Sequence, residues 1–177
     1  TSELLSQIRE RERSELLQES LFHISQLTNA DIEINRFYDQ VHNIIGQLLS
    51  ATNFYIAKFD KEKQQIEFVY FLDQYSQTIE SDFKTRPVSR RLTEYVLRQG
   101  KTVLLDIAEM RRLKEEGEIE NDVGDNYSWL GVPLISEGEA IGVMVVQSYQ
   151  ADTIFTDQDA ELLNYVSQHV TSAIKPR

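Results

Sequence analysis

The chain has 177 residues, 41% of them hydrophobic, enough to bury one full core and with nothing that calls for a second. It contains no cysteine, which excludes a disulfide framework, thiolate metal sites and thiol nucleophiles. Its 29 acidic residues against 18 basic ones give a net charge of −11, which repels nucleic-acid phosphates and anionic lipid headgroups, so neither nucleic acid nor direct membrane contact is expected.

The opening TSELLSQIRERERSELL is charged throughout, unlike a signal peptide, and no apolar run approaches the ~18 residues of a membrane span. A start at Thr1 and an end at Lys175-Pro176-Arg177, directly after a helical pattern, are expected of a fragment of a longer, cytoplasmic protein whose parent could still be membrane-anchored. Within residues 1–29, Leu17, Leu21, Ile24 and Thr28 follow a 4, 3, 4 spacing that draws one stripe along a helix, interrupted upstream at Glu12 and Glu15. That stripe suits a coiled-coil-like helix in a homodimer or a helix packed on its own domain. Cap-type residues at Thr28-Asn29-Ala30-Asp31 then precede a second stripe, Ile34, Phe37, Val41, Ile44, Ile45 and Leu48, which opens a globular unit over residues 30–175.

NFYIAKFD (Asn53 to Asp60) and IEFVYFLD (Ile66 to Asp73) flank a polar loop and read as a hairpin apolar on both faces, so cover is expected on both sides of the sheet. After Pro87, Leu92, Tyr95, Val96 and Gln99 share a helical face that ends at Gly100, followed by a short strand from Thr102 to Leu105. A helical turn from Asp106 leads into a charged, glycine-containing surface loop that runs to Tyr127. SWLGVPL (Ser128 to Leu134) and IGVMVVQSY (Ile141 to Tyr149) form a second hairpin around Gly138, in which Pro133 belongs at a bulge or an edge. Thr156 to Asp159 resembles a capping box, and the helix after it carries Leu163, Val166, Val170, Ala173 and Ile174 on one side.

These blocks, together with LTEYVLRQGKTVLL (Leu92 to Leu105) and FTDQDAELLNYVSQHV (Phe155 to Val170), resemble in their order a bacterial GAF domain over about residues 30 to 175. The resemblance implies an α+β, profilin-like fold: a six-stranded antiparallel sheet with helices on both sides, preceded by the N-terminal signalling helix. It also implies a small-molecule pocket closed by the helix at 92–99 and the loop at 106–128. Candidate lining residues are Tyr55, Phe71, Arg91, Tyr95, Tyr127 and Trp129, with the alternative that Trp129, Tyr127, Tyr95 and Phe71 fill the space themselves in a ligand-free dimerisation scaffold. For a dimer or signalling surface the candidates are Leu17, Leu21 and Ile24 with Val166, Val170 and Ile174. The family further implies a fused output domain in the parent chain, such as a diguanylate cyclase, a cyclic-di-GMP phosphodiesterase or a histidine kinase.

Several family chemistries do not fit the residues. Covalent bilin attachment and the methionine sulfoxide reductase reaction of this fold both use cysteine, which is absent. The cyclic-nucleotide pattern is incomplete, because Ala160 follows Asp159 where a glutamate is expected and Gln147-Ser148 replace an Asn-Lys pair. Ser89-Arg90-Arg91 stand where the family has glycines, and these arginines suit either an anion site or a solvated surface. His23, His42 and His169 lack a second ligand at helical spacing, so no metal, no cofactor and no catalytic residue is expected, only an unidentified small molecule.

Overall fold

The computed structural model describes residues 1–29, 32–73, 84–120 and 126–174. In chain order these form α1 (Ser2–Asn29), α2 (Ile34–Gly46), β1 (Asn53–Asp60), β2 (Gln65–Leu72), β3 (Thr85–Pro87), α3 (Leu92–Gln99), β4 (Val103–Asp106), α4 (Ile107–Glu115), β5 (Ser128–Ser136), β6 (Glu139–Ser148) and α5 (Asp157–Ile174). The strands make one six-stranded antiparallel sheet in the order β3-β2-β1-β6-β5-β4.

Local chemistry fixes the corners. The β5–β6 hairpin pairs Ser136 with Glu139, leaving Glu137 (φ 52°) and Gly138 (φ 80°) as a two-residue turn. Both dihedrals are positive, the requirement of the type I′ turn whose twist matches the strands. Pro133 lies beyond the end of β4, which pairs only with Ser128 to Gly131, so β5 has one neighbour there. A capping box closes the start of α5: Thr156 N–H donates to Asp159 Oδ2 (2.9 Å) and Asp159 N–H to Thr156 Oγ1 (3.2 Å). A second box joins Asp106 and Glu109 at the start of α4. The cap expected at residues 28–31 falls partly on residues 30 and 31, outside the described residues, and the N-cap of α2 is Glu33, which makes no side-chain cap bond.

Alternation along the strands sends side chains to two separate cores. On one face Phe54, Ile56, Leu130, Val132, Met144 and Val146 pack with α2, α5 and the C-terminal half of α1. On the other, Tyr55, Ala57, Trp129, Val143 and Val145 pack with α3, α4 and Ile119. This is why the central strands are apolar at consecutive positions.

The terminal helices correct one expectation. Ile24, Val166, Val170 and Ile174 are buried in the chain's own core, so they are not available as a dimer surface. The reason is geometric: α1 and α5 lie side by side on the sheet, and their stripes turn inward. Arg13 ties the two helices by reaching Asp159 (3.7 Å) and the Leu48 carbonyl (3.5 Å). Leu17 and Leu21, partly buried, line a groove of about 670 Å³ between α1 and α5 together with Leu48, Leu162 and Tyr165. Upstream, Leu4, Leu5 and Ile8 are exposed.

Candidate functional site

Strand register assembles the site. Phe71 on β2 pairs with Tyr55 on β1, Tyr55 with Val145 on β6, and Val145 with Gly131 on β5, so these four form one row across the sheet. The next row carries Gln147 opposite Trp129. Glycine at 131 leaves a gap into which the Trp129 ring folds: a Cβ there would lie 2.6 Å from Cη2 and Cζ3 of the indole. Trp129 is 1% exposed, with the far edge of its indole over the Gly131 backbone and the ring forming part of the wall of the space above the sheet.

That space is a cavity of about 480 Å³. Tyr55, Phe68, Phe71 and Trp129 give it aromatic walls. Leu92 and Thr93 from the first turn of α3, with Ile119, close another side. Arg86, Arg91, Asn126 and Gln147 supply the polar groups. The three rings of Tyr55, Phe68 and Phe71 pack against one another at centroid distances of 5.5 to 5.9 Å, two pairs edge-on and one stacked. Tyr55 shares a hydrogen bond with Thr93 (2.7 Å), and burial pushes its hydroxyl pKa up to about 12 despite that bond. It is a neutral group at physiological pH.

Beside the cavity, Arg86 meets Glu94 end-on, Nη1 to Oε2 at 2.6 Å and Nη2 to Oε1 at 2.9 Å. The Ser89 N–H (2.6 Å) and hydroxyl (3.0 Å) also donate to Glu94 Oε2. Burial alone would raise the Glu94 pKa. The Arg86 and Ser89 hydrogen bonds outweigh it and hold the carboxyl below the ordinary glutamate value. The Arg86 guanidinium lies 5.7 Å from the centroid of Phe68, and its Nε is buried with no hydrogen-bond partner among the described residues.

The sequence-derived candidates divide. Tyr55, Phe71, Arg91 and Trp129 line the cavity. Tyr95 does not; its ring packs under Arg98, whose guanidinium is 5.7 Å from the ring centroid. Tyr127 does not either, being 37% exposed just before β5 begins, with its N–H donated to the Ser148 carbonyl (2.8 Å). Arg90 is occupied elsewhere, donating to the Gly117 carbonyl (2.9 Å) and lying 4.0 Å from Glu120. With Arg98, which donates to the Glu118 carbonyl (2.7 Å), it pins residues 117–120 across α3 and so seats Ile119. The rest of the expected loop, residues 121–125, lies outside the described residues.

Arg86, Phe68, Thr93, Ile119, Asn126 and Gln147 were not foreseen. Strand parity offered a signal for Gln147, which shares the face of Val145. His42 makes no metal site: its Nε2 donates to the Ala51 carbonyl (2.5 Å) while Nδ1 faces the Tyr70 hydroxyl (2.8 Å). Among the described residues there is no cluster of three metal-ligating side chains, and no helix is long and apolar enough to cross a membrane.

The sequence model of the GAF domain matches residues 11–175. The chain belongs to the GAF family. A comparison with curated protein sequences finds no match. Among solved structures, the GAF domain of an Acinetobacter phosphoenolpyruvate-protein phosphotransferase superposes with a TM-score of 0.68 at 18% identity, covering 89% of this chain and 91% of that one. The corresponding domain from Coxiella burnetii gives 0.68 at 18% identity, covering 89% and 92%. The free methionine-R-sulfoxide reductase of Neisseria meningitidis, solved with its substrate, gives 0.67 at 16% identity, covering 89% and 87%. At these identities the likeness establishes the GAF fold. GAF domains are generally regulatory, although the family includes that reductase.

Proposed function

We propose that this GAF domain is a sensor: a small molecule bound over the sheet biases the arrangement of α3 and residues 117–120, and the terminal helices pass that bias to an output domain in the parent signalling protein. One observation carries the reading. The cavity keeps about 480 Å³ open although Trp129 and Phe71 stand in its wall, a volume in the range of small-molecule sites. The route of transmission is short, because consecutive residues of β5 serve opposite faces: Trp129 lines the cavity and Leu130 packs in the core shared with α5. The coupling is bounded by the ligand's difference in affinity for the two arrangements. A native mass spectrum of the freshly purified domain tests the proposal. A reproducible adduct that vanishes in Gly131→Ala supports it, and a clean spectrum, with no ligand-dependent change in hydrogen exchange of α5, removes it.

A second reading, a ligand-free dimerisation scaffold, is favoured by the exposed Leu4, Leu5 and Ile8 and by the apolar groove between α1 and α5. A dimer in sedimentation together with a native spectrum free of any adduct supports this second reading, and a bound ligand in the native spectrum removes it.

A further inference from the structure

We infer that the ligand of this cavity is an uncharged, flat aromatic molecule that donates a hydrogen bond to Gln147 Oε1; this deepens, and rests on, the sensing reading above.

The first observation is how the Gln147 amide is held. Its Nε2 donates to Asp73 Oδ2 (3.3 Å) and to the Tyr149 hydroxyl (3.2 Å), which in turn donates to the same Asp73 oxygen (2.5 Å). A primary amide has two N–H donors and one carbonyl acceptor, so this arrangement uses both hydrogens. A carboxylate oxygen accepts and does not donate, so turning the amide over would set Oε1 against Asp73; the chemistry of the neighbours fixes its orientation. Neither Asp73 nor Tyr149 lines the cavity among the described residues, whereas Gln147 does. The nitrogen side of the amide is thus turned out of the cavity. Oε1 takes no hydrogen bond among the described residues and, unlike Arg86 Nε, is not a sealed buried atom. Gln147 therefore meets a ligand as an acceptor.

The second is charge. Glu94 neutralises Arg86, and Arg91 already has a partner in the chain. No aspartate or glutamate lines the cavity among the described residues. A charged ligand would give up its hydration with no uncommitted opposite charge to replace it, a cost that a neutral ligand avoids.

The third is shape. Gln147 is paired with Trp129 across β5 and β6, and side chains so placed on one face start about 4.5–5.5 Å apart. The acceptor therefore stands beside the indole, and the stacked rings of Tyr55 and Phe71 stand on the neighbouring strands. A flat ring system in offset or edge-on contact with these walls presents an N–H or O–H at its rim to Gln147, while a bulky saturated body loses the aromatic contacts.

Four probes of similar size separate these features by titration calorimetry: 2-naphthol, its methyl ether 2-methoxynaphthalene, the saturated alcohol decahydro-2-naphthol, and the anion 2-naphthoate. 2-Naphthol should bind about tenfold tighter than each of the other three. Gln147→Met keeps the length of the side chain and removes the acceptor, so the preference for 2-naphthol over its ether should disappear while the ether binds as before. In the unaltered chain, an ether that binds as tightly as 2-naphthol overturns the hydrogen bond. An equally tight saturated alcohol overturns the flat ligand, and an equally tight 2-naphthoate the uncharged one. These comparisons need no variant, so they decide the inference even if Gln147→Met does not fold. If no probe binds, the native spectrum decides. An adduct with the mass of an uncharged aromatic molecule, shifted in deuterated buffer by at least one exchangeable hydrogen, supports the inference. Any other adduct overturns it and leaves the sensor standing, and the absence of an adduct removes both.

Discussion

The indole of Trp129 lies across the bare backbone of Gly131, so that the ring's position depends on the absence of a side chain two residues further along the same strand. Gly131→Ala should therefore drive the ring off the sheet and into the cavity, with Val96 Cγ2, 3.0 Å from the new methyl, blocking the alternative. Overpacking of this kind costs about 1–3 kcal/mol. Trp129 is the chain's only tryptophan, so its emission spectrum reports the displacement directly and urea unfolding gives the cost. An unchanged spectrum would mean that the ring is held by something else.

The Arg86–Glu94 pair should be costly to break from one side. Both side chains are largely buried, and Arg86→Ala leaves a carboxylate without its main partner, a loss of about 3–5 kcal/mol. Replacing both residues by methionine should cost less than the single change, because no charge is then stranded. A double-mutant cycle by chemical denaturation measures the difference; additive losses would show that the two residues do not act as a pair.

Acid should weaken the fold partly through Glu94. Its pKa is lowered on folding, so the unfolded chain binds the proton more readily. The contribution is complete above the unfolded glutamate value of 4.5 and is lost as pH falls through the lower folded value. Glu94→Gln should lose stability near neutrality yet show a shallower fall below pH ~4.5, read from unfolding free energies across the acid range.

Tyr55 works in the opposite direction. Its pKa is raised, from 10.0 to about 12, so the folded state holds the proton longer and stability falls as pH rises between those values. Tyr55→Phe should remove that part of the alkaline slope. It should also cost about 0.5–1.5 kcal/mol at neutral pH through the lost Thr93 hydrogen bond.

The terminal helices call for a paired test. Val166→Glu places a charge in the core and should destabilise by more than about 4 kcal/mol whatever the oligomeric state. Ile8→Glu, on an exposed part of α1, should leave the unfolding temperature unchanged while weakening any association seen by sedimentation. A folded Val166→Glu variant that merely dissociates would return that residue to an interface.

How far the sequence foretold all this depends on the range of each signal. The two hairpins were legible because alternation and turn chemistry are local, and the capping box at Thr156 and Asp159 for the same reason. β3 escaped: three residues ending in Pro87 carry no periodicity, and only their pairing with Gln65 to Glu67 makes them a strand. On α3 Leu92 and Val96 are buried as expected, but Thr93 and Glu94 join them where Tyr95 and Gln99 were expected. The spacing of apolar residues could not reveal a buried glutamate whose partner sits in a different element. In the cavity, aromatic residues announced themselves by type, whereas Arg86, Asn126 and Gln147 resemble any surface polar residue until register brings them together. The stripes on α1 and α5 were read correctly as stripes, but periodicity does not say whether the covering surface belongs to the same chain.

The ties of Arg13 to Asp159 and to the Leu48 carbonyl mark where α1 leaves the core. About 14 Å of helix separates that residue from Leu4, and the twelve residues before it are exposed along the whole of their length. A tilt of about 10° at that point would sweep the far end sideways through about 2 Å. A small adjustment beside the capping box of α5 thus reaches the tip of α1 enlarged.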